Sequence, residues 1–458
     1  MATAREGGLP RREPLVWGLL AFACLLPIHA VTIAYLFGGL GWPAGLVRSV
    51  AAWKEALVVV LLACVLLRAL RGGGGAHGVQ WLDVAAAGLA ALAGVYLVGA
   101  EWWFDQGLPV TAQLYGWRDA VFASFLYFVG RATPGVAEDP RVLRTLFVVG
   151  GVTSAIAVVE RLFVTPSMLV LLGAARYVQE FLGATPITRG NLYGLPDNYW
   201  TTIGNHVVQR AGSTYLSSQG LAIPFLIILP AATLWLRAGT PRRRVLAWAG
   251  YALLWAGLLL TVTRMTIVAC ALQTLVILAA QRRWGIALTF AFAGVLGAFA
   301  TLVLIPDLRA FVWETLTWQS GSSYSHIADW GAGLANVPAH PLGAGLGSAD
   351  FVAARFGVTA LAADNQYLKY AVELGVLGLA LHVLVLGGIG AAGLHAWRHA
   401  ATSFQRTTGL LVTVAVLGIA ANGFTAVVMN STLLAYAFYW LAGAVTSVAA
   451  RARPLERA

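Results

Sequence analysis

At 458 residues, 59% of them hydrophobic and only 11% charged, the chain lies outside the composition of soluble globular proteins. The formal charge of +11 does not read as nucleic-acid binding, because Lys is nearly absent and the arginines fall in short clusters between apolar runs. Cys24, Cys64 and Cys270 each stand alone in such a run, which argues against a disulfide framework or a thiolate metal site.

Apolar runs of about twenty residues recur along the chain, the length that a hydrocarbon core about 30 Å thick demands of a helix. The first begins near Leu15 behind Arg11 and Arg12 and continues through Pro27 to Phe37 without a small-residue cleavage site, so it is expected to be a retained anchor. Further spans are centred near Val60, Leu92, Phe125, Val152, Phe225, Leu254, Leu272, Gly294, Leu381, Thr413 and Ala437, with the first near Ala23. The fold class that follows is all-α: a polytopic membrane protein of about twelve transmembrane helices, one transmembrane domain over 1–458.

Basic clusters fix the expected orientation. Arg5, Arg11 and Arg12 precede the first span, Arg68 and Arg71 follow the second, and Arg131, Arg141 and Arg144 lie between the fourth and fifth. Arg237 with Arg242, Arg243 and Arg244, then Arg282 and Arg283, Arg398 and Arg406, and finally Arg451, Arg453 and Arg457 continue at every second connection. Most of the basic residues thus face one side, which is expected to be cytoplasmic and to hold both termini. Two connections on the opposite side are long: a first periplasmic segment, 165–212, and a main periplasmic loop, 306–364, between the ninth and tenth helices. Loops of this size with Trp, Tyr and Pro are usually functional. The stretch Gly72–Gly75 reads as a flexible link, and no internal repeat relates the halves, which weighs against a transporter built on inverted repeats.

A guanidinium stays protonated and is costly near a bilayer unless paired or hydrated. Arg210 in "VVQRAGSTYLSSQG" and Arg264 in "LLLTVTRMTIVAC" fall at the same expected outer boundary, flanked by Ser213, Thr214, Thr261 and Thr263. Together they suit an anion; singly, each also reads as a helix anchor. Gly343, Gly345 and Gly347 in "PLGAGLGS" suit either a nest of backbone N–H groups for an anion or a plain tight turn. His326 and His340 are candidates for proton transfer or phosphate contact, with no metal-ligand spacing around them. Asp364 opens "ADNQYLKYAVELGVLG", where Asn365, Lys369 and Glu373 crowd the start of an apolar helix; it reads either as a helix cap or as a carboxylate base. Trp102, Trp103, Tyr115, Trp117, Tyr193, Tyr199, Trp200, Trp313, Trp318 and Tyr324 suit an interfacial belt, or in part a sugar-stacking surface.

The stretches "WGAGLANVPAHPLGAGLGSADF" and "DNQYLKYAVELGVLGL", preceded by "QRAGSTYLSSQG" and "LTVTRMT", resemble the O-antigen ligase and Wzy-type O-antigen polymerase superfamily over about Arg210 to Leu381. The resemblance implies a metal-independent glycosyltransferase of the bacterial inner membrane, of the GT-C kind, needing no cofactor. Its donor would be a glycan on undecaprenyl diphosphate, its acceptor a hydroxyl of a lipid-linked repeat unit or of lipid A core. Membrane lipids and a chain-length regulator are the further expected partners, and nucleic acid is not one. The family pattern places a His-Asn-like pair nine residues before Gly-x-x-Gly; Asn365, Gly375 and Gly378 fit, while Asp364 stands at the histidine position and His326 where ligases carry an arginine. Both departures suit the polymerase better than the ligase. The expected assignment is diphosphate binding by Arg210, Arg264, Gly345 and Gly347, catalysis by Asp364 with His326, and acceptor contacts from Asn365, Tyr367 and His340. A ligase and a lipid-linked oligosaccharide flippase are the alternatives.

Overall fold

The computed structural model describes residues 14–71, 78–99, 107–184, 193–204, 206–236, 241–319, 321–361 and 364–452. The glycine stretch 72–75, the basic residues Arg5, Arg11, Arg12, Arg237, Arg453 and Arg457, and Trp102 and Trp103 lie outside that set. Among the described residues nine helices are long and apolar enough to cross a membrane. The protein is an all-α integral membrane protein.

All twelve expected centres fall in helices. Three of those helices are not among the nine. Val245–Leu260 and Arg264–Ala280 are shorter apolar helices, and Val110–Ala132 carries Arg118, Asp119 and Arg131 along its length. The long segments are structured as well. The first contains an antiparallel hairpin, Trp200–Ile203 against His206–Gln209, and the second the helices Pro306–Leu316, Gly321–Ala339 and Asp350–Arg355.

The bundle is built around Thr432–Arg451, 89% of whose apolar window is buried, against 6% for Trp284–Leu304. Helices in lipid gain little from burying Leu on Leu, so close backbone approach matters more. Thr432–Arg451 crosses Val110–Ala132 at such an approach: a Cβ on Gly443 would stand 2.0 Å from the Tyr127 carbonyl oxygen, and one on Gly130 2.1 Å from that of Trp440. Arg131 locks the same crossing by bonding Asp83 of Trp81–Val98 at 2.7 Å and the Ser447 hydroxyl at 2.8 Å.

A second set of charges joins further helices. Lys54 pairs with Glu55 at 3.1 Å, Arg118 with Glu55 at 3.3 Å and with Asp119 at 2.7 Å. Lys369 continues the chain, 3.8 Å from Asp119 and 3.4 Å from Asp350, and Asn430 donates to Asp350. Each charge in this network has an opposite neighbour.

Helix Gln366–His399 is interrupted at Gly375, whose φ of 69° and ψ of −171° no helix residue adopts. The glycine loop after Gly321–Ala339 occupies the break: Ala344 N–H donates to the Val372 carbonyl at 2.6 Å, and Val376 N–H to that of Pro341 at 3.0 Å. Groups freed by the interruption are thereby satisfied, as buried backbone requires. A side chain at Gly375 would meet the Pro341 carbonyl at 2.4 Å, so only glycine fits.

Candidate functional site

Arg210 follows the hairpin. Its backbone N–H donates to the Tyr199 carbonyl at 2.7 Å, and the next N–H, of Ala211, reaches Leu260 at 3.0 Å, fastening the segment to the end of the preceding apolar helix. Beyond it, the buried Glu160 carboxylate on Pro140–Phe163 accepts from the N–H groups of Gly212 at 3.1 Å and Ser213 at 2.5 Å. The chain is thus held on both sides of Arg210. Its guanidinium then donates from Nε to the Thr261 carbonyl at 2.7 Å and from Nη2 to the Thr263 hydroxyl at 2.9 Å.

Those two threonines belong to the turn that delivers Arg264. Val262 sits at φ 50°, a costly conformation for a β-branched residue, and lets Pro241–Leu260 pass into Arg264–Ala280 with only three residues between. Arg264 donates to the Thr315 hydroxyl and lies over the Phe311 ring, 5.0 Å from its centroid. Neither arginine has an ion-pair partner among the described residues. Burial, and then the field of Arg264, lowers Arg210 to about 10, which leaves it a cation at neutral pH.

Both arginines line one cavity of about 630 Å³, and Asp364 and His326 line it too. Side chains from positions 210, 264, 326 and 364 therefore converge although four apolar helices lie between the first and the last in sequence. Among the described residues no group of three or more His, Cys, Asp or Glu is arranged to hold a metal ion. The arginines that line the cavity are Arg210 and Arg264.

Asp364 is not the helix cap. That role belongs to Asn365, whose side-chain oxygen accepts from the N–H groups of Tyr367 and Leu368, both at 3.0 Å. Asp364, at φ 50° and half-buried, presents its carboxyl to the cavity instead. Burial, followed by the nearby Asp350 and Asp329 carboxylates, pushes it up to about 6. At neutral pH it is largely a carboxylate and close enough to titration to take a proton.

His326, on Gly321–Ala339, has a buried Nδ1 without a hydrogen-bond partner among the described residues. Burial lowers its pKa, opposed by Asp329 and reinforced by Arg264. It is thus a neutral imidazole at pH 7.

The other expected site residues lie elsewhere. Gly345 and Gly347 do not line the cavity: their loop fills the Gly375 break, and the anion that Gly347 N–H meets is the protein's own Glu373 carboxylate, at 3.2 Å. The same loop turns on itself, Gly343 N–H donating to the His340 carbonyl at 2.8 Å and Ser348 N–H to that of Gly345 at 3.3 Å. Asn365 is buried as the cap and donates to the Phe424 carbonyl at 3.1 Å. Tyr367 bonds the Ala420 carbonyl at 2.8 Å, and His340 is exposed away from the cavity lining. The polar cluster of "ADNQYLK" thus divides into one cavity residue, one cap and one ion-pair partner, with Glu373 holding the glycine loop. Sequence reasoning missed Asn198, Gln219 and Thr315 as lining residues. Only Gln219 carried a signal, inside "SSQG".

No curated protein matches the chain. The model of the O-Antigen ligase family matches residues 249–383, a stretch that holds Arg264, His326 and Asp364 and begins after Arg210. Over that stretch the chain is similar to the O-antigen ligase family, as the sequence motifs led one to expect.

Proposed function

We propose that the protein is an inverting glycosyltransferase of the bacterial inner membrane, which moves a glycan from undecaprenyl diphosphate to a sugar hydroxyl at a cavity facing the periplasm. The observation that carries this reading is the pair of unpaired guanidinium groups, Arg210 and Arg264, lining one cavity with Asp364. A lipid diphosphate leaves without a metal when fixed cations stabilise the charge that develops on it. Arg210 and Arg264 clamp the diphosphate. Asp364 accepts the proton of the attacking hydroxyl, which meets the anomeric carbon on the face opposite the departing phosphate and inverts it. Neutral His326 acts as a hydrogen-bond partner rather than as a counter-charge. The segments 165–212 and 306–364 form the outer walls, and both termini lie in the cytoplasm.

Asp364 at the position where ligases carry histidine favours a polymerase that joins lipid-linked repeat units. The family's description as O-Antigen ligase favours the second reading, transfer to lipid A core. Deleting the encoding gene and resolving surface glycan on a gel separates them: a single capped repeat follows from loss of a polymerase, free core with accumulated lipid-linked polymer from loss of a ligase. Normal glycan in the deletion strain removes both. A flippase that binds the same lipid without reacting requires charges accessible from both sides, whereas the two arginines here share one cavity.

A further inference from the structure

Of the outer aromatic residues that are described, Trp200 and Trp318 line the cavity. Trp200 opens the hairpin, and Asn198, just before it, lines the cavity as well. Their polar atoms are unusual. Trp200 Nε1 and Asn198 Oδ1 are both buried with no hydrogen-bond partner among the described residues, although interiors satisfy nearly all such groups.

Neither side chain is free to turn away and find one. The Asn198 amide nitrogen donates to the Ser217 hydroxyl at 2.9 Å, and the Ser218 hydroxyl donates to the Asn198 backbone carbonyl at 2.6 Å. The Tyr193 ring stacks on the Trp200 indole at 6.4 Å and 21°. Across the cavity lining, Trp318 is braced edge-on by Trp330 at 5.7 Å. The hairpin register sets Trp200 opposite Gln209, and Arg210 N–H bonds Tyr199, so these groups adjoin the first arginine.

We propose that Asn198, Trp200 and Trp318 form the subsite for the sugar ring attached directly to the diphosphate. One donor and one acceptor, fixed beside indole faces, match a hydroxyl-bearing pyranose, whose hydroxyls both give and accept and whose C–H face packs on an aromatic ring. Diphosphate oxygens accept but do not donate, so a bare lipid diphosphate leaves Asn198 Oδ1 unmet. This inference rests on the clamp reading, since it places the sugar next to Arg210.

The test uses the full chain in nanodiscs and isothermal titration with farnesyl diphosphate, alone or carrying glucose, galactose or N-acetylglucosamine. At least one sugar-bearing probe is expected to bind more tightly than the bare one. Trp200→Ala and Asn198→Ala should weaken that probe about tenfold while leaving bare farnesyl diphosphate unchanged, which also shows that the variants fold. Trp200→Phe, which keeps a ring without the N–H, should fall between. Equal weakening of bare and sugar-bearing probes, or no sugar-bearing probe tighter than the bare one, overturns the subsite. Unchanged affinity of the bare probe in Arg210→Ala sinks the clamp instead, a separate result.

Discussion

Two sets of buried charges differ in one respect. In the network of Lys54, Glu55, Arg118, Asp119, Lys369 and Asp350, every cation meets a carboxylate within 4 Å, the widest contact being 3.8 Å. Around Arg210 and Arg264, threonine hydroxyls, a carbonyl and a phenyl ring take the place of carboxylates. Net charge is zero in the first set and +2 in the second. A charge kept buried without a counter-ion costs stability, so the protein retains it where a ligand supplies the missing sign. On the proposed function, the paired set belongs to the fold and the unpaired set to the chemistry.

Substitutions should separate the two sets by readout. The largest effect is expected in the paired network, where Lys369→Ala removes the buried cation 3.4 Å from Asp350 and 3.8 Å from Asp119 and should cost about 3–5 kcal/mol, read as a fall in melting temperature and in folded protein recovered from membranes. Arg210→Ala and Arg264→Ala should each lower glycan transfer about 10²–10³-fold with recovery from the membrane unchanged; if recovery collapses instead, the division between the sets is wrong. Asp364→Asn should lower the rate about 10²-fold or more and flatten its pH profile. In the native protein the carboxylate is the active form and its proton leaves as pH rises through about 6, so activity should climb as pH increases and level off above about 7. Asn365→Ala tests the neighbouring cap and should cost about 1 kcal/mol of stability with transfer preserved in the folded fraction. EDTA should have the least effect: transfer unchanged after chelation, against a loss if a divalent ion takes part.

The cavity's charged residues were legible in sequence because a lone arginine or aspartate beside an apolar run has few structural explanations. The helices were legible for the same reason, from unbroken hydrophobicity at the right length. What stayed hidden depended on distant partners. The spacing of Gly343, Gly345 and Gly347 suits a nest or a tight turn without showing what the loop packs against, and Glu373 lies beside a helix break that a run of helix-forming residues conceals. Gly375 matched a motif without revealing that the helix stops there. Likewise Asp364 and Asn365 are adjacent and both able to cap; only backbone geometry assigns the cap to Asn365 and frees Asp364. Trp200 was one of ten outer aromatics, and nothing in its neighbours marked it as a cavity residue.

The glycine loop that plugs the break at Gly375 gives the cavity wall carrying Asp364 its mechanical character. The half-turns just after Asp364 are riveted at three heights, by the Val372 carbonyl, the Glu373 carboxylate and the Lys369 ammonium, to residues 344–350 of the same polypeptide. On the proposed function, a part so fastened works as a die, and acceptors are sorted by whether they already match its contour. Amide hydrogens of Ala344 and Val376 should accordingly be among the last to exchange with deuterium.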